Sequence, residues 1–209
     1  MSRIIKYSII SLLMAFAGYS VYSSIRSTPN IPVDRIENSR KDSIVSTQAF
    51  KKVYAVLMSP RCMNCHPAGD VPLQGDDSHL HEMLPQRGAD GKGVLTMKCA
   101  NCHQPENSPG LHTPPGHPNW HLPPSDMKMV FEGKTPYELA KQLVDPAQNG
   151  NKNIKQLIEH ADDGLVVHSW DMGGDRTKPP MSHAEFKKAW ITWLENGAYA
   201  PEEKELKNK

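Results

Sequence analysis

Apolar residues recur at helical spacing in several parts of this chain, each bounded by signals that start or stop a helix. In the first such part, Phe50, Val53 and Leu57 share one face. The pattern predicts an amphipathic helix that begins near Ser46 and ends before Pro60.

The second half of the chain carries signals for two further short helices. Residues 135–138 read as a capping box with proline at the first helical position, and they predict a helix that runs to about Val144. Asn153 is a suitable N-cap for the next helix, which is predicted to end near Ala161.

A terminal helix is predicted from a second capping box at residues 182–185, and Gly197 fits its C-terminal stop. Phe186, Trp190 and Trp193 fall on one side of this helix. We expect the tryptophans to pack against other helices rather than against a bound group.

The remaining long segments have a loop composition. Residues 67–94 are rich in Gly, Asp and Pro, and residues 104–124 are richer still in proline. Neither segment offers enough apolar side chains to build a core of its own. Such loops are expected where a large apolar cofactor replaces part of the missing core.

The two long loops lie beside a repeated motif. Residues 62–66 and 99–103 are both C-x-x-C-H, and together they contain every cysteine of the chain. In this motif two thiols form thioethers with haem c, and the histidine supplies the proximal ligand of the iron. The predicted attachment residues are Cys62, Cys65, His66, Cys99, Cys102 and His103. The fold class is therefore expected to be mainly α and cytochrome c-like, with short helices and Pro/Gly-rich loops wrapped around two covalently attached haems.

Two other uses of the cysteines remain open. The two pairs could form a four-thiolate zinc site, although 33 residues separate Cys65 from Cys99 and such a site usually has a shorter spacer. They could also form two disulfides, since an exported chain meets an oxidising environment. Neither alternative explains why a histidine follows each pair.

The N-terminus has the features of an export signal, which covalent haem attachment in bacteria requires. Arg3 and Lys6 precede an apolar stretch, and residues 15–17 offer a small-x-small cleavage site. The uncharged segment 7–25 is also long enough to serve as an uncleaved anchor. We expect a periplasmic protein of a Gram-negative bacterium, soluble or anchored to the inner membrane by its N-terminus.

Composition and charge define the expected domains. These are a leader or anchor at 1–26, a polar linker at 27–45, a dihaem domain at 46–201 and a charged tail at 202–209. Residues 1–61 carry nine basic and three acidic residues, which leaves 15 and 20 for the remainder, a net charge of −5. This sign argues against binding of nucleic acid and leaves a redox partner protein with a complementary patch as one alternative.

The second axial ligand of each haem iron has several candidates. His121 is the first, because the proline-rich loop 118–124 would hold it stiffly. His81 lies between the two motifs, and His160 ends a predicted helix. Met129 stands at a transition from polar to apolar sequence and is the leading methionine.

Several segments carry a family resemblance. They are the two C-x-x-C-H motifs and residues 118–124, 131–133, 145–150 and 157–160. Over roughly residues 59–201 the chain resembles a family of small exported dihaem cytochromes, often labelled as isoquinoline 1-oxidoreductase subunits. The resemblance implies that His81, His121, His160 and Met129 recur as ligand candidates. It also implies a molybdenum hydroxylase as one redox partner.

The sequence thus predicts an electron carrier in which each haem iron cycles between Fe(III) and Fe(II), with no catalytic residue required. The 36 residues between Cys62 and Cys99 are too few for two tandem monohaem domains, so both haems are expected to share one fold. The alternative is a peroxidase-like or gas-binding dihaem protein with one open iron. No obvious acid-base constellation accompanies an open iron. Glu82 and Glu159, each beside a histidine, could supply one, but charged residues in loops and at helix ends are usually exposed to solvent.

Overall fold

The first helix extends further towards the N-terminus than its apolar pattern indicates. In the computed structural model, which describes residues 33–203, helix α1 spans Val33–Leu57. It ends before Pro60, as predicted, but it begins well before the predicted start at Ser46 and includes much of the predicted linker 27–45. The earlier turns carry mostly exposed side chains, so they have no apolar period from which a helix could be predicted.

The two C-x-x-C-H motifs lie in a region of short elements. The first motif begins in α2 (Pro60–Met63). Two antiparallel hairpins of two-residue strands follow, β1 (Leu73–Gln74) with β2 (His79–Leu80) and β3 (Gly93–Val94) with β4 (Met97–Lys98). The second motif opens as a 3₁₀ turn at Cys99–Asn101.

Four helices make up the second half, and three of them were predicted. Their bounds are Pro136–Val144 for α3, Ile154–His160 for α4, Gly164–His168 for α5 and His183–Glu195 for α6. The capping boxes predicted for α3 and α6 are both present. Helix α5 was not predicted, because it is a single short turn whose cap is the Asp163 carboxylate, which accepts a bond from Leu165 N at 3.0 Å. The chain is mainly helical, and that part of the predicted fold class is confirmed.

The core lies where α1, α3, α4 and α6 pack together. Its members include Phe50 and Val53 from α1, Leu139 from α3, Leu157 from α4 and Trp193 from α6. The expectation that the tryptophans pack among helices is confirmed for Trp193, which is fully buried and whose ring centroid lies 4.6 Å from that of Phe50. Trp190 also belongs to this core, but it lines a cleft as well. The predicted amphipathic faces therefore meet in one core.

Fully buried Ser46 connects α1 to the end of α6. Its Oγ donates to Trp193 O and accepts from Tyr199 N, both at 2.9 Å. The segment from Arg40 to Lys209 is one compact unit, and both cysteine motifs lie in it. A second unit, Met1–Ser39, is described only from Val33 onwards.

The capping box of α6 provides a test of helix stability. Ser182 Oγ accepts from Glu185 N at 3.3 Å and donates to Glu185 Oε2 at 2.7 Å. We expect Ser182→Ala to lower the free energy of unfolding by about 1 kcal/mol, because the first turn loses its cap. Urea unfolding measures this loss. Thr192→Ala is the control, because its hydroxyl bonds within the helix to Lys188 O; a loss as large as that of Ser182→Ala would contradict the capping argument.

Within residues 33–203, no helix is long and apolar enough to cross a membrane. The predicted leader at 1–26 and the anchor segment 7–25 lie outside the described residues. The same is true of residues 204–209 of the predicted tail.

Candidate functional site

The first motif forms one wall of an apolar cleft. The cleft has a volume of about 290 Å³ and is lined by Cys62, Cys65 and His66. This volume is near the lower end of the roughly 300–1,000 Å³ usual for pockets that hold organic ligands. Further lining residues come from the helical core, including Leu57, Leu143, Leu157, Phe186 and Trp190. The core of the fold is thus also part of the wall of the cleft.

The His66 imidazole is held in one tautomer. Its Nδ1 lies 2.7 Å from the backbone oxygen of Met129, and a carbonyl only accepts, so Nδ1 carries the proton. Nε2 is then left with a lone pair. Phe131 stacks on the ring at a centroid distance of 3.9 Å, and burial lowers the pKa of His66 to about 4. A neutral imidazole with a free Nε2 is the form that binds a metal ion.

The segment that holds His66 is itself fixed by α3. Buried Gln142 donates through Nε2 to Val130 O at 2.8 Å and to Met129 Sδ at 3.2 Å. Phe131 N in turn donates to His66 O at 2.9 Å. The turn that follows the first motif and residues 129–131 therefore support each other through main-chain contacts.

The second motif repeats the same arrangement with different partners. His103 Nδ1 lies 2.8 Å from Pro115 O, so this histidine also presents Nε2 as a free acceptor. Trp120 stacks on the His103 ring at a centroid distance of 4.1 Å and an interplanar angle of 7°. Each motif thus has a histidine bonded to a carbonyl and stacked on an aromatic ring.

The loop that supplies Pro115 depends on a close backbone approach. A Cβ at Gly116 would lie 1.9 Å from Glu106 O, so only glycine fits there. Gly116 N donates to Asn107 Oδ1 at 2.9 Å. This packing fixes the carbonyl that orients His103.

The cysteine thiols of the first motif stay protonated at neutral pH. Burial raises the pKa of Cys62 to about 12 and that of Cys65 to about 11. Arg61 and Arg87 lower the pKa of the Cys65 thiol, whereas Cys99 raises it. Among the four cysteines, Cys102 is exposed, whereas the other three are partly buried.

The structure places three of the four candidate axial ligands in the same cleft. His121, His160 and Met129 line it together with His66. His81 does not line this cleft. It is instead linked to the second motif, because it adds to the lowering of the pKa of His103, of which burial is the largest cause. The candidates therefore divide between the two motifs.

Hydrogen bonds distinguish these candidates. His121 Nδ1 lies 2.7 Å from Asn119 O, so it donates there and leaves Nε2 free, as in His66. His81 Nδ1 instead accepts from Met83 N at 3.3 Å, which puts the proton of the neutral ring on Nε2. Met129 already accepts two hydrogen bonds, at its carbonyl from His66 and at its sulfur from Gln142. Of the two histidines, only His121 keeps Nε2 unprotonated and able to bind a metal ion.

His160 lines the same cleft at the end of α4. Its side chain is exposed to the open cleft, while the surrounding protein lowers its pKa by desolvation, with Asp163 opposing this effect. His121 also lowers the pKa of His160, and both residues line the cleft. Either histidine can face a group bound beside His66.

Arg87 connects the segment that follows the first motif to the loop that carries His121. Its side chain is fully buried and donates to Gly69 O at 3.0 Å and to Pro123 O at 2.7 Å. Asp70 lies 3.5 Å from Nε and supplies the opposite charge. A guanidinium bonded to both segments fixes the distance between them.

A second contact holds the His121 loop in the same position. Leu122 N donates to Gly91 O at 2.9 Å, and a Cβ at Gly91 would lie 1.8 Å from Leu122 O. Gly91 also has a φ of 76°. Only glycine combines this conformation with so close an approach.

We expect Gly91→Ala to lower the free energy of unfolding by at least about 2 kcal/mol, because the methyl group meets a carbonyl in a left-handed backbone conformation. Thermal unfolding of the matured protein measures the loss. Gly69→Ala is the matched control, since its added methyl has its closest neighbour, Val71 N, 4.0 Å away. Equal stability of the two variants would contradict the close approach.

Pro115, Gln142 and Arg87 support the motif histidines or the His121 loop, and the sequence did not indicate them. Trp120 and Phe131 belong to the segments 118–124 and 131–133 that carry the resemblance, but their stacking on His103 and His66 was not predicted. A buried arginine in a loop carries no local signal, because its partners are backbone carbonyls distant in sequence.

Metal sites made only of side chains are absent from residues 33–203, where no three His, Cys, Asp or Glu side chains cluster to hold an ion. All four cysteines are in this part of the chain and are free thiols. They are not gathered into a four-thiolate group.

The residues present fit a haem at the first motif. Two thiols and a histidine with a free Nε2 border an apolar cleft, and His121 provides a second imidazole with a free Nε2. The Nε atom of Arg61, another cleft residue, is buried without a hydrogen-bond partner. An apolar ring with charged edge groups suits this combination of surfaces.

No family model, curated protein or solved structure matches this chain in comparisons with known proteins.

Proposed function

We propose that this chain is a dihaem c-type cytochrome that carries electrons between exported or membrane-bound redox partners. The observation that supports this most is the paired arrangement of His66 and His103. Each directs Nδ1 to a backbone carbonyl and keeps Nε2 free, within a C-x-x-C-H motif. Two histidines with the same tautomer in two copies of one motif favour two equivalent attachment sites.

The cysteine pairs hold one haem each in this proposal, through thioethers at Cys62 and Cys65 and at Cys99 and Cys102. Haem, when bound, supplies an iron that alternates between Fe(III) and Fe(II) without a bond being made in a substrate. The chain's own contribution is to fix both histidines and to line the cleft of the first motif with apolar side chains. Burial and axial ligands then set the reduction potential.

His121 is our proposed second ligand at the first motif. Its Nε2 is free, and its loop is held by Arg87 and Gly91 beside the segment that follows His66. His160 is the alternative in the same cleft. Met129 acts through its carbonyl, as the partner of His66, rather than through sulfur.

The imidazoles of His66 and His121 would both hold the iron at the first motif, and an iron held by two strong ligands would supply electron transfer rather than ligand chemistry. Both motifs lie in one compact unit, which supports exchange between the two sites within one fold. The partners we propose are redox proteins of the periplasm, among them a molybdenum hydroxylase, as the family resemblance implies.

A redox titration with carbon monoxide present tests this function. The matured protein is expected to take up two electrons reversibly, one per haem. A first haem that stays low-spin and indifferent to carbon monoxide supports the carrier. Carbon monoxide binding at both haems would contradict it.

One observation favours a second candidate, a gas-binding or peroxidase-like protein with one open iron. His81, the candidate nearest the second motif, uses Nδ1 as an acceptor for Met83 N and so carries its proton on Nε2. If His81 does not bind, the iron at His103 has an open sixth position. Carbon monoxide binding at this haem alone, with peroxide turnover, would favour the second candidate.

A further inference from the structure

Arg61 is a buried cation with an incomplete set of partners. Its side chain is 5 % exposed and stands directly before Cys62. One terminal nitrogen, Nη2, donates to Asp76 Oδ1 at 2.5 Å and to Gly75 O at 3.2 Å. Its Nε is buried and has no partner among the described residues. A buried guanidinium N–H without an acceptor is costly unless a ligand supplies one.

The same side chain lines two neighbouring cavities. One is the apolar cleft of the first motif, and the other is a smaller pocket of about 160 Å³ formed largely by residues 169–178. Arg176 and Lys178 line this pocket together with Arg61, and Asp171 is an acidic residue of its lining. Arg61 therefore stands where a basic pocket meets an apolar cleft.

Among the described residues, the two arginines of the pocket have one ion-pair partner between them, Asp76, which pairs with Arg61. Arg176 donates to the carbonyl oxygens of Thr113, Met172 and Gly173, which carry no formal charge. Asp76 is the acidic partner of Arg61, and its other oxygen accepts from Thr177 Oγ1 at 2.6 Å.

Arg61, Arg176 and the exposed Lys178 line the pocket together with one carboxylate, Asp171, and Asp76 pairs with Arg61 beside it. Burial lowers the pKa of Arg61, Asp76 opposes this effect, and Arg176 adds to it. An additional anionic group would relieve this imbalance.

We propose that Arg61 and Arg176 form a carboxylate-binding site that takes the propionates of the haem attached at Cys62 and Cys65. This proposal rests on the dihaem function proposed above. The cleft that would hold the ring and the pocket that would hold its acidic edge share Arg61, Ser169, Trp170 and Met172. Guanidinium groups are the preferred partners of buried carboxylates because their N–H geometry matches both oxygens.

Arg61→Gln tests the site through the reduction potential. We expect the variant to keep two covalent haems, while the midpoint potential of one haem falls. Loss of a nearby positive charge stabilises the ferric form, which is the more positive of the two. The same potential is expected to become dependent on pH between about 5 and 8, because an unpaired propionate has a raised pKa and takes up a proton on reduction.

Three further variants make the result specific. Arg61→Lys keeps the charge and should restore most of the potential. Arg176→Gln should lower the same potential without disturbing the Asp76 contact, and it keeps the test available if Arg61→Gln does not fold. Arg40→Gln removes an exposed cation from α1 and should change neither the potential nor its dependence on pH.

The remaining outcomes distinguish a failure of the propionate site from a failure of the proposed dihaem function. Absence of covalent haem in the unaltered protein would overturn the proposed function itself. Two haems with unchanged potentials in both Arg61→Gln and Arg176→Gln would overturn only the propionate site. A potential in the unaltered protein that shifts with added acetate or phosphate would show that the pocket takes free anions instead, which also contradicts the proposal.

Discussion

Replacing both Cys62 and Cys65 by alanine is expected to leave one covalently bound haem where the unaltered protein has two. Neither thioether can form at the first motif, while the second keeps Cys99, Cys102 and a correctly oriented His103. Intact mass under denaturing conditions should show the loss of one haem. Because the haem would cover apolar core residues of the cleft, we also expect the thermal midpoint to fall substantially.

The reciprocal variant, with Cys99 and Cys102 replaced by alanine, is the matched control. It should also lose one haem, but with a smaller fall in thermal midpoint, because Cys102 is exposed and its motif does not line the core cleft. A zinc site shared by the four thiols would respond differently. Removal of either pair would then abolish all metal binding, which would contradict independent haem sites.

Replacing His121 by alanine is expected to convert one haem from low-spin to high-spin and to let it bind carbon monoxide. Its Nε2 is free because Nδ1 donates to Asn119 O, and its loop is held by Arg87. Removal of the imidazole leaves an open position on the iron at the first motif. Absorption spectra of the oxidised and reduced protein, with and without carbon monoxide, measure this change.

His160→Ala is the discriminating partner of this variant. It removes the other imidazole of the cleft and is expected to leave both haems with their original spin states. His112→Ala controls for a general loss of stability, since His112 is 82 % exposed. A spectrum altered by His160→Ala and unaltered by His121→Ala would transfer the ligand role to His160.

The helices could be predicted wherever their determinants are close in sequence. The capping box that opens α3 joins Thr135 to Glu138, and that of α6 joins Ser182 to Glu185, so a window of four residues contains the signal. The C-x-x-C-H motifs are equally local. The exposed beginning of α1 and the single-turn α5 lack such signals, and both were missed.

The positioning of the histidines could not be predicted in this way. His66 depends on the carbonyl of Met129, 63 residues further along the chain. Arg87 reaches Gly69 and Pro123 across loops that have no periodic pattern. Every residue type has the same backbone carbonyl acceptor, so no pattern of side chains in the sequence predicts which carbonyl will accept a hydrogen bond. Met129 shows the consequence, because the sequence indicated its sulfur as a ligand candidate but not the contact of its carbonyl with His66.

The haem content of the full chain, matured together with a haem-attachment system, tests the central claim most directly. We expect two haems per chain that stay bound under denaturing conditions. We also expect an oxidised and reduced spectrum typical of c-type cytochromes. A purified protein without covalent haem, with zinc bound to its thiols or with its four cysteines in disulfides, would contradict that claim.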